Sequence, residues 1–460
     1  MPLLIKNGEI VTADSRRRAD IYCEGETITR IGPGLEAPPG TEVVDAAGQY
    51  VFPGFIDPHV HITLPFMGTS AKDTYQTASR AALIGGTTTL IEMCCPARSE
   101  DTLAGFEHWL AQAEGRSACD FSFHMGATRF DAAAESALRE ITRRGVSSYK
   151  IFLAYKGAFG IDDTELYRTL RLARELGVIV TAHCENETLV AERQQELLAA
   201  GHTGPGGHYE SRPPVVEAEG VHHLMTFAEL TGAHTYIVHL SCREALAEAV
   251  AARRRGVSVA IETLIQYLTL DKTDAERPDF EGAKYVMSPP LRDAANQPIL
   301  WQALRDGTIQ TVATDHAPFD FQPQKQMGRG DFTKIPNGIP SLEERINLLY
   351  TYGVKAGRID LATLVNTAST QVARLFDLYP RKGAIQPGAD ADLVVFDPEY
   401  RGVLSARTQH INVDYNAFEG WKIEGRPSVV TVRGQVAARQ GTFVGAPTRG
   451  QFLRRAPSRA

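Results

Sequence analysis

Gly54-Phe55-Ile56-Asp57-Pro58-His59-Val60-His61 reads as an apolar strand that ends in two histidines. In an extended chain residues two apart face the same way, so His59 and His61 can meet one metal ion. An H-x-H pair alone is a weak signal. The fold is decided by the recurrence of such strands. After the segment at 55–61, strand-like runs return at 87–93, 121–127, 148–153, 178–183, 235–240, 257–263 and 310–314. Amphipathic helical patterns lie between most of them, for example at 164–176 and 243–255. Strand–helix repetition implies parallel strands. Eight units, with no G-x-G-x-x-G after the first strand, predict an α/β fold: a closed (β/α)8 barrel of the TIM type rather than a Rossmann sheet.

Outward from this middle, the two ends of the chain share a different texture. The first fifty residues are short β-segments joined by turns, with Asn7-Gly8 as the strongest two-residue hairpin signal and Glu24-Gly25 as a second reversal. Similar strands return at 391–396 and 429–436, with a turn at Arg433-Gly434. Neither end is long enough for a sandwich alone, so both are expected to build one small β-sandwich domain. The expected division is 1–52 and 385–446 for the sandwich, 53–384 for the barrel and 447–460 for a C-terminal tail. Inserts at about 184–233 and 264–308, and a Gly-, Pro- and Gln-rich loop at 319–339, complete the barrel. The tail arginines Arg449, Arg454, Arg455 and Arg459 read either as an inter-subunit arm or as a solvated end.

Composition narrows the function. The 460 residues are 43% hydrophobic and 22% charged, with a net charge of -7 and basic residues scattered among acids. No basic stripe offers itself to a phosphate backbone, which argues against a nucleic-acid partner. No apolar run reaches the roughly 18 residues of a membrane span, and the run at the start is too short for a secretory signal. Six cysteines without a C-x-x-C pair form neither a disulfide framework nor a zinc ribbon. The expected location is the cytoplasm.

In a barrel of this kind the chemistry sits at the C-terminal ends of the strands. Lys150 lies within the apolar run Ser147-Ser148-Tyr149-Lys150-Ile151-Phe152-Leu153. It is either a snorkelling amine or a buried one whose lowered pKa lets it react with carbon dioxide to form a carbamate. His183 ends Val178-Ile179-Val180-Thr181-Ala182, and His239 follows Tyr236-Ile237-Val238; each alone could be a core histidine. Asp315 closes Thr311-Val312-Ala313-Thr314, where a buried carboxylate needs a cation or strong donors. Imidazole and carboxylate suit zinc, with manganese or cobalt as alternatives. His124 and Glu262 are read as structural, and His202, His208, His222 and His223 as surface residues.

Together with the segment at 54–61, this pattern resembles the amidohydrolase superfamily and, within it, the hydantoinase/dihydropyrimidinase branch. The matching stretches include Leu64-Pro65-Phe66-Met67-Gly68-Thr69, Gly85-Gly86-Thr87-Thr88-Thr89, Lys150-Ile151-Phe152-Leu153-Ala154-Tyr155-Lys156-Gly157, Ser211-Arg212-Pro213-Pro214, Ser288-Pro289-Pro290-Leu291-Arg292 and Ile335-Pro336-Asn337-Gly338. The resemblance implies two divalent metal ions bridged by a carboxylated Lys150, with His59, His61 and Asp315 on the first and His183 and His239 on the second. It implies that Tyr155 binds the substrate carbonyl and that Asp315 shuttles the proton. Main-chain groups of Ser288 and Asn337 would grip the ring, while Leu64, Phe66, Phe152 and Phe159 enclose its substituent. The implied substrate is a small cyclic ureide or imide, a hydantoin or dihydropyrimidine opened to an N-carbamoyl amino acid, and the implied assembly is a homotetramer. Dihydroorotases and allantoinases usually carry an arginine or asparagine soon after the H-x-H, where this chain has Ile62, Thr63, Leu64 and Pro65. Non-catalytic scaffold relatives have lost metal ligands, whereas all six positions are filled here. Thr63, Cys184, Ala317 and Pro340-Ser341 depart from the usual pattern.

Overall fold

The computed structural model describes residues 1–457. Eight parallel strands follow one another in chain order around a barrel. They are β1 (Phe55–Val60), β2 (Thr87–Cys94), β3 (Asp120–Gly126), β4 (Ser148–Phe152), β5 (Ile179–His183), β6 (Thr235–Ile237), β7 (Val259–Leu264) and β8 (Thr311–Ala313). Every residue in them is buried, as expected of parallel strands covered on both faces. β8 and β1 are joined past the end of β8: Val60 bridges His316, and the His61 N–H donates to the His316 carbonyl at 2.8 Å. Asp57 reinforces this seam by accepting from the Thr314 hydroxyl at 2.7 Å.

The helices between strands begin where local chemistry allows. Asp162 caps the helix Asp163–Leu176 in a reciprocal capping box with Glu165, and Gly177 ends it at φ 68°. Its buried residues Leu166, Leu170 and Ala173 fall at helical spacing against the barrel. The insert after β5 forms helices Glu187–Ala199, Gly206–Glu210 and Pro214–Thr231. The segment after β8, expected as a loop, is tightly packed: Phe319, Lys325, Phe332 and Ile335 are all fully buried. Among the described residues, no helix is long and apolar enough to cross a membrane, and all six cysteines are buried and unpaired.

Both chain ends meet in a second layer pair. A four-stranded sheet holds Thr27–Gly32, Asp20–Glu24, Leu3–Lys6 and Glu42–Asp45. Against it lies a seven-stranded sheet in which Tyr50–Pro53, Glu9–Val11 and Arg16–Arg18 extend the C-terminal strands Leu393–Val403, Lys422–Val432, Gln435–Arg439 and Thr442–Phe443. Ile5, Ile21, Ile28, Val51, Leu393 and Val395 fill the space between. The reversals at Glu24-Gly25 and Arg433-Gly434 are hairpins. Asn7-Gly8 is not. Its flanking strands belong to different sheets, and a Cβ on Gly8 would meet Val51 at 2.5 Å. The chain crosses the packed core there, a close approach that only glycine allows.

The tail also departs from expectation. Phe452 bridges Phe121 of β3, and Arg455 is buried, donating to the Ser122 hydroxyl at 2.8 Å and the Ser148 hydroxyl at 2.9 Å. This arginine belongs to the base of its own barrel, not to a solvated end. Arg459 lies outside the described residues.

Candidate metal centre

At the C-terminal mouth of the barrel lies a cavity, and every candidate site residue named above lines it, together with Ala317 and Gly338. His59 and His61 arrive on and just after β1, Lys150 on β4 and His183 at the end of β5. His239 and Asp315 come just after β6 and β8, where the chain leaves the sheet with φ of 42° and 48°. Tyr155, three residues past β4, stands at φ 61°. Non-glycine residues reach this left-handed region at a cost of about 1–3 kcal/mol each, and such strain concentrates at functional sites. β6 and β8 accordingly end sooner than the sequence pattern predicts.

The first group is compact. Nε2 of His59 and Nε2 of His61 each lie 3.0 Å from the same Asp315 oxygen, and the ligand atoms of the three residues fall within 4.8 Å of one another. Burial disfavours a charged His59, yet Asp315 and Glu262 on either side raise its pKa to about 9, while burial lowers His61 to about 4. Burial also opposes ionisation of Asp315, but the two imidazoles hold it well below the usual carboxylate range. In the second group, Nδ1 of His183 faces Nε2 of His239 at 3.0 Å. Lys150 is 1% exposed, its amine has no hydrogen-bond partner, and burial lowers its pKa.

These features fit bound cations. His59 Nε2 lacks a partner of hydrogen-bond geometry, as does the Lys150 amine, and two imidazole nitrogens are aimed at one another. Buried polar groups are otherwise paired, so imidazole nitrogens without donors beside the Asp315 carboxylate mark a place for positive charge, to which the Lys150 amine would contribute only once carboxylated.

Two carboxylates behind the histidines were not singled out in the sequence as part of the site. Glu262, read as merely structural, accepts from His59 Nδ1 at 2.7 Å, and Glu185 accepts from His183 Nε2 at 2.8 Å. Each fixes the tautomer that turns the other ring nitrogen toward the cavity. Arg212 donates to Glu185 at 2.7 Å, and the Glu185 carboxyl, disfavoured as an anion by burial, is lowered to about 2 by Arg212 and His183. Glu185 had a signal, since it lies only two residues past His183.

His208 is a correction: it is buried rather than superficial. It donates to the Met287 carbonyl at 2.8 Å and lies 3.1 Å from the Ser288 hydroxyl. His202, His222 and His223 are solvent-accessible and paired with acids, and His124 is a core residue bonded to the Pro58 carbonyl and Ser148.

The remaining walls divide by chemistry. Phe66, Phe152 and Phe159 form an aromatic patch with centroids 5.5–6.0 Å apart, and Phe66 also meets Tyr155 at 5.4 Å. Opposite, the Asn337 amide donates to the Ser288 hydroxyl at 3.0 Å and lies 3.4 Å from the Tyr155 hydroxyl. The main-chain N–H and C=O of Ser288 and Asn337 have no partner among the described residues. A Cβ at Gly338, φ 150°, would meet the Ala317 carbonyl at 2.3 Å.

A barrel whose strand ends gather four histidines, an aspartate and a buried lysine defines a class of metal-dependent hydrolases, and residues 50–437 match the amidohydrolase family. The chain belongs to that family, in its hydantoinase/dihydropyrimidinase branch. It is 63% identical to a D-hydantoinase (dihydropyrimidinase) from a Thermus species, with a TM-score of 0.98 and 99% of each chain covered. It is 42% identical to a dihydropyrimidinase from Brevibacillus agri, with a TM-score of 0.97 and 99% of each chain covered. A D-hydantoinase of Geobacillus stearothermophilus is 46% identical over 99% of this chain and 97% of its own.

Proposed function

We propose that this cyclic-amide hydrolase opens the ring amide of 5-substituted hydantoins, and of dihydropyrimidines, to N-carbamoyl amino acids, with a preference for D-hydantoins. The observation that carries this reading is the apposition, in one cavity, of a cation-seeking cluster, an aromatic wall and unpaired main-chain groups. His59, His61 and Asp315 would hold one divalent ion, His183 and His239 the other, and a carboxylated Lys150 would bridge them. Zinc is favoured by the imidazole-rich donor set, ahead of manganese or cobalt. When bound, such ions supply Lewis acidity toward a carbonyl and lower the pKa of water toward about 7.

The residues of the chain do the rest. The unpaired N–H and C=O groups of Ser288 and Asn337 complement the alternating acceptors and donors of a ring ureide. The aromatic patch takes an alkyl or aryl group at ring position five and excludes water from that side. Burial raises the Tyr155 pKa, so its hydroxyl stays protonated and donates to the ring oxygen as that oxygen gains charge. Water attacks the ring carbonyl, the C–N bond breaks, and Asp315 carries the proton from the water to the departing nitrogen.

An anionic substrate of the dihydroorotase kind finds no counter-ion here. Apart from the four histidines of the metal cluster, Lys150 is the only basic side chain lining the cavity among the described residues, and Arg212 is spent on Glu185. A homotetramer accords with Val215 and Leu230, apolar and 62% and 75% exposed on the helix Pro214–Thr231. A cytoplasmic location accords with the six reduced thiols.

The test is a hydrolysis panel on zinc-loaded protein: hydantoin, both enantiomers of an aryl hydantoin, dihydrouracil, dihydroorotate and allantoin, with Lys150→Ala as control. Turnover of the D-aryl hydantoin, lost in the control, is expected. Inactivity toward hydantoins and dihydrouracil, with two metals bound per chain, would overturn the substrate assignment.

A further inference from the structure

Lys325 is fully buried on the short turn Lys325–Gly328 in the segment after β8. Its amine meets three main-chain carbonyls: Val286 at 3.0 Å, Pro336 at 2.6 Å and Gly338 at 2.7 Å. An ammonium has three donors and no acceptor, so all three are used. None of the ion pairs among the described residues includes it. Burial without a carboxylate pushes the Lys325 pKa well below the usual lysine range. A neutral amine, however, has two N–H groups and cannot serve three carbonyls, so the three acceptors favour the charged form and offset the cost of burying it.

The three carbonyls belong to two segments far apart in sequence. One runs from Val286 into Ser288; the other contains Asn337. These are the segments whose unpaired main-chain groups edge the cavity. Apart from the amine, they are tied by the Gly338 N–H donating to the Val286 carbonyl at 2.9 Å and by the Asn337–Ser288 side-chain bond. The Pro336 carbonyl and the Asn337 N–H belong to one peptide unit. A cation on that carbonyl draws electron density from the N–H and makes it a stronger donor. The turn itself is pinned, because a Cβ at Gly328 would meet Ile335 Cγ1 at 2.1 Å.

The preceding residue points to another wall. The Gln324 amide donates to the Thr69 hydroxyl at 2.7 Å and the Ser70 carbonyl at 2.8 Å. These lie on the small hairpin of Pro65–Phe66 and Thr69–Ser70 that presents Phe66. Two consecutive residues therefore hold the ring edge and the substituent wall separately.

We propose that Lys325 is a positioning residue for substrate: its ammonium fixes the Ser288 and Asn337 peptides so that their free groups meet the ring, while Gln324 sets selectivity for the ring substituent. The proposal rests on the cyclic-ureide reading above. Its test compares Lys325→Met and Gln324→Ala on hydantoin and a D-aryl hydantoin, with metal content measured by mass spectrometry. Lys325→Met is expected to raise KM for both substrates alike, by about tenfold or more, with two metals retained. Gln324→Ala is expected to leave the hydantoin KM unchanged and to shift the ratio of kcat/KM between the two substrates by about fivefold.

Amide hydrogen exchange supplies a readout independent of turnover. Lys325→Met should speed exchange in peptides covering 286–288 and 335–339 and leave those covering 59–61 unchanged. Inactive wild-type protein would defeat the substrate reading, yet faster exchange at those two segments alone would still support the clamp. A folded Lys325→Met protein with unchanged KM and unchanged exchange overturns the proposal. Should Lys325→Met not fold, Lys325→Arg and Lys325→Gln replace it. Restored KM in the arginine variant and raised KM in the glutamine variant support the proposal. Failure of all three to fold assigns the lysine to the fold and overturns it.

Discussion

Glu262 and His59 form a buried carboxylate–imidazole pair at 2.7 Å, and the same Glu262 oxygen accepts from the His239 N–H at 2.9 Å. Its other oxygen accepts from the Tyr236 hydroxyl at 2.7 Å. One carboxylate thus orients a histidine of each group and holds the strained backbone of His239. Carboxylates in this position raise the basicity of the imidazole they support. Glu262→Gln keeps the size but removes the charge. It is expected to weaken metal binding by about 10- to 100-fold, read by competition with a chelator.

Tyr155 offers a hydroxyl at the cavity edge, 3.4 Å from the Asn337 amide. Tyr155→Phe removes only that oxygen. If it stabilises charge on the ring oxygen, kcat should fall by about 10²- to 10³-fold with KM little changed. Steady-state kinetics on a D-aryl hydantoin make the measurement, and an unchanged kcat would remove Tyr155 from the chemistry.

Asp120, at the start of β3, accepts from Lys382 at 2.6 Å, from the Gln451 N–H at 2.9 Å and from Arg433. It joins the barrel, the C-terminal sheet and the tail. Asp120→Ala leaves buried cations short of a counter-charge, although Lys382 keeps Asp392 at 2.7 Å. The expected loss is about 3 kcal/mol, seen as a lower urea midpoint with the metal content unchanged.

Glu344 is buried, and burial, with Glu343 nearby, raises its pKa to about 8. In the unfolded chain a glutamate titrates near about 4.3. A folded pKa above the unfolded one makes the associated stability complete below pH of about 4 and lost as pH rises through about 8. Glu344→Gln should therefore unfold at a higher temperature than the wild type at pH 9, with the difference shrinking toward pH 5. Thermal scans across that range make the comparison, and a constant difference would show that Glu344 does not titrate as described.

The barrel was legible because its strands are buried on both faces and read as continuous apolar runs, and the candidate ligands because they end those runs or, for Lys150, interrupt one. Local signals failed where a distant partner decides the outcome. Asn7-Gly8 has hairpin chemistry, yet Val51 and Ala46 press on Gly8 and send the chain between sheets. Arg455 looks like a frayed end until Ser122 and Ser148 are seen at the barrel base. His208 and Lys325 are polar residues on very short helical turns within inserts, and only their carbonyl partners, up to 79 residues away, account for their burial.

By itself the sequence determined the class of architecture and the candidate ligands, because strand periodicity and the placement of polar residues in apolar runs are local properties of a chain, while its motifs carried the resemblance to one branch of the family. The tertiary structure alone decided which carboxylate backs which imidazole, which peptides keep their hydrogen-bonding groups free and which buried cation holds them. Those pairings join residues as far apart as His59 and Glu262, and in a low-dielectric interior their energies depend on distances of a few ångströms that sequence spacing does not encode.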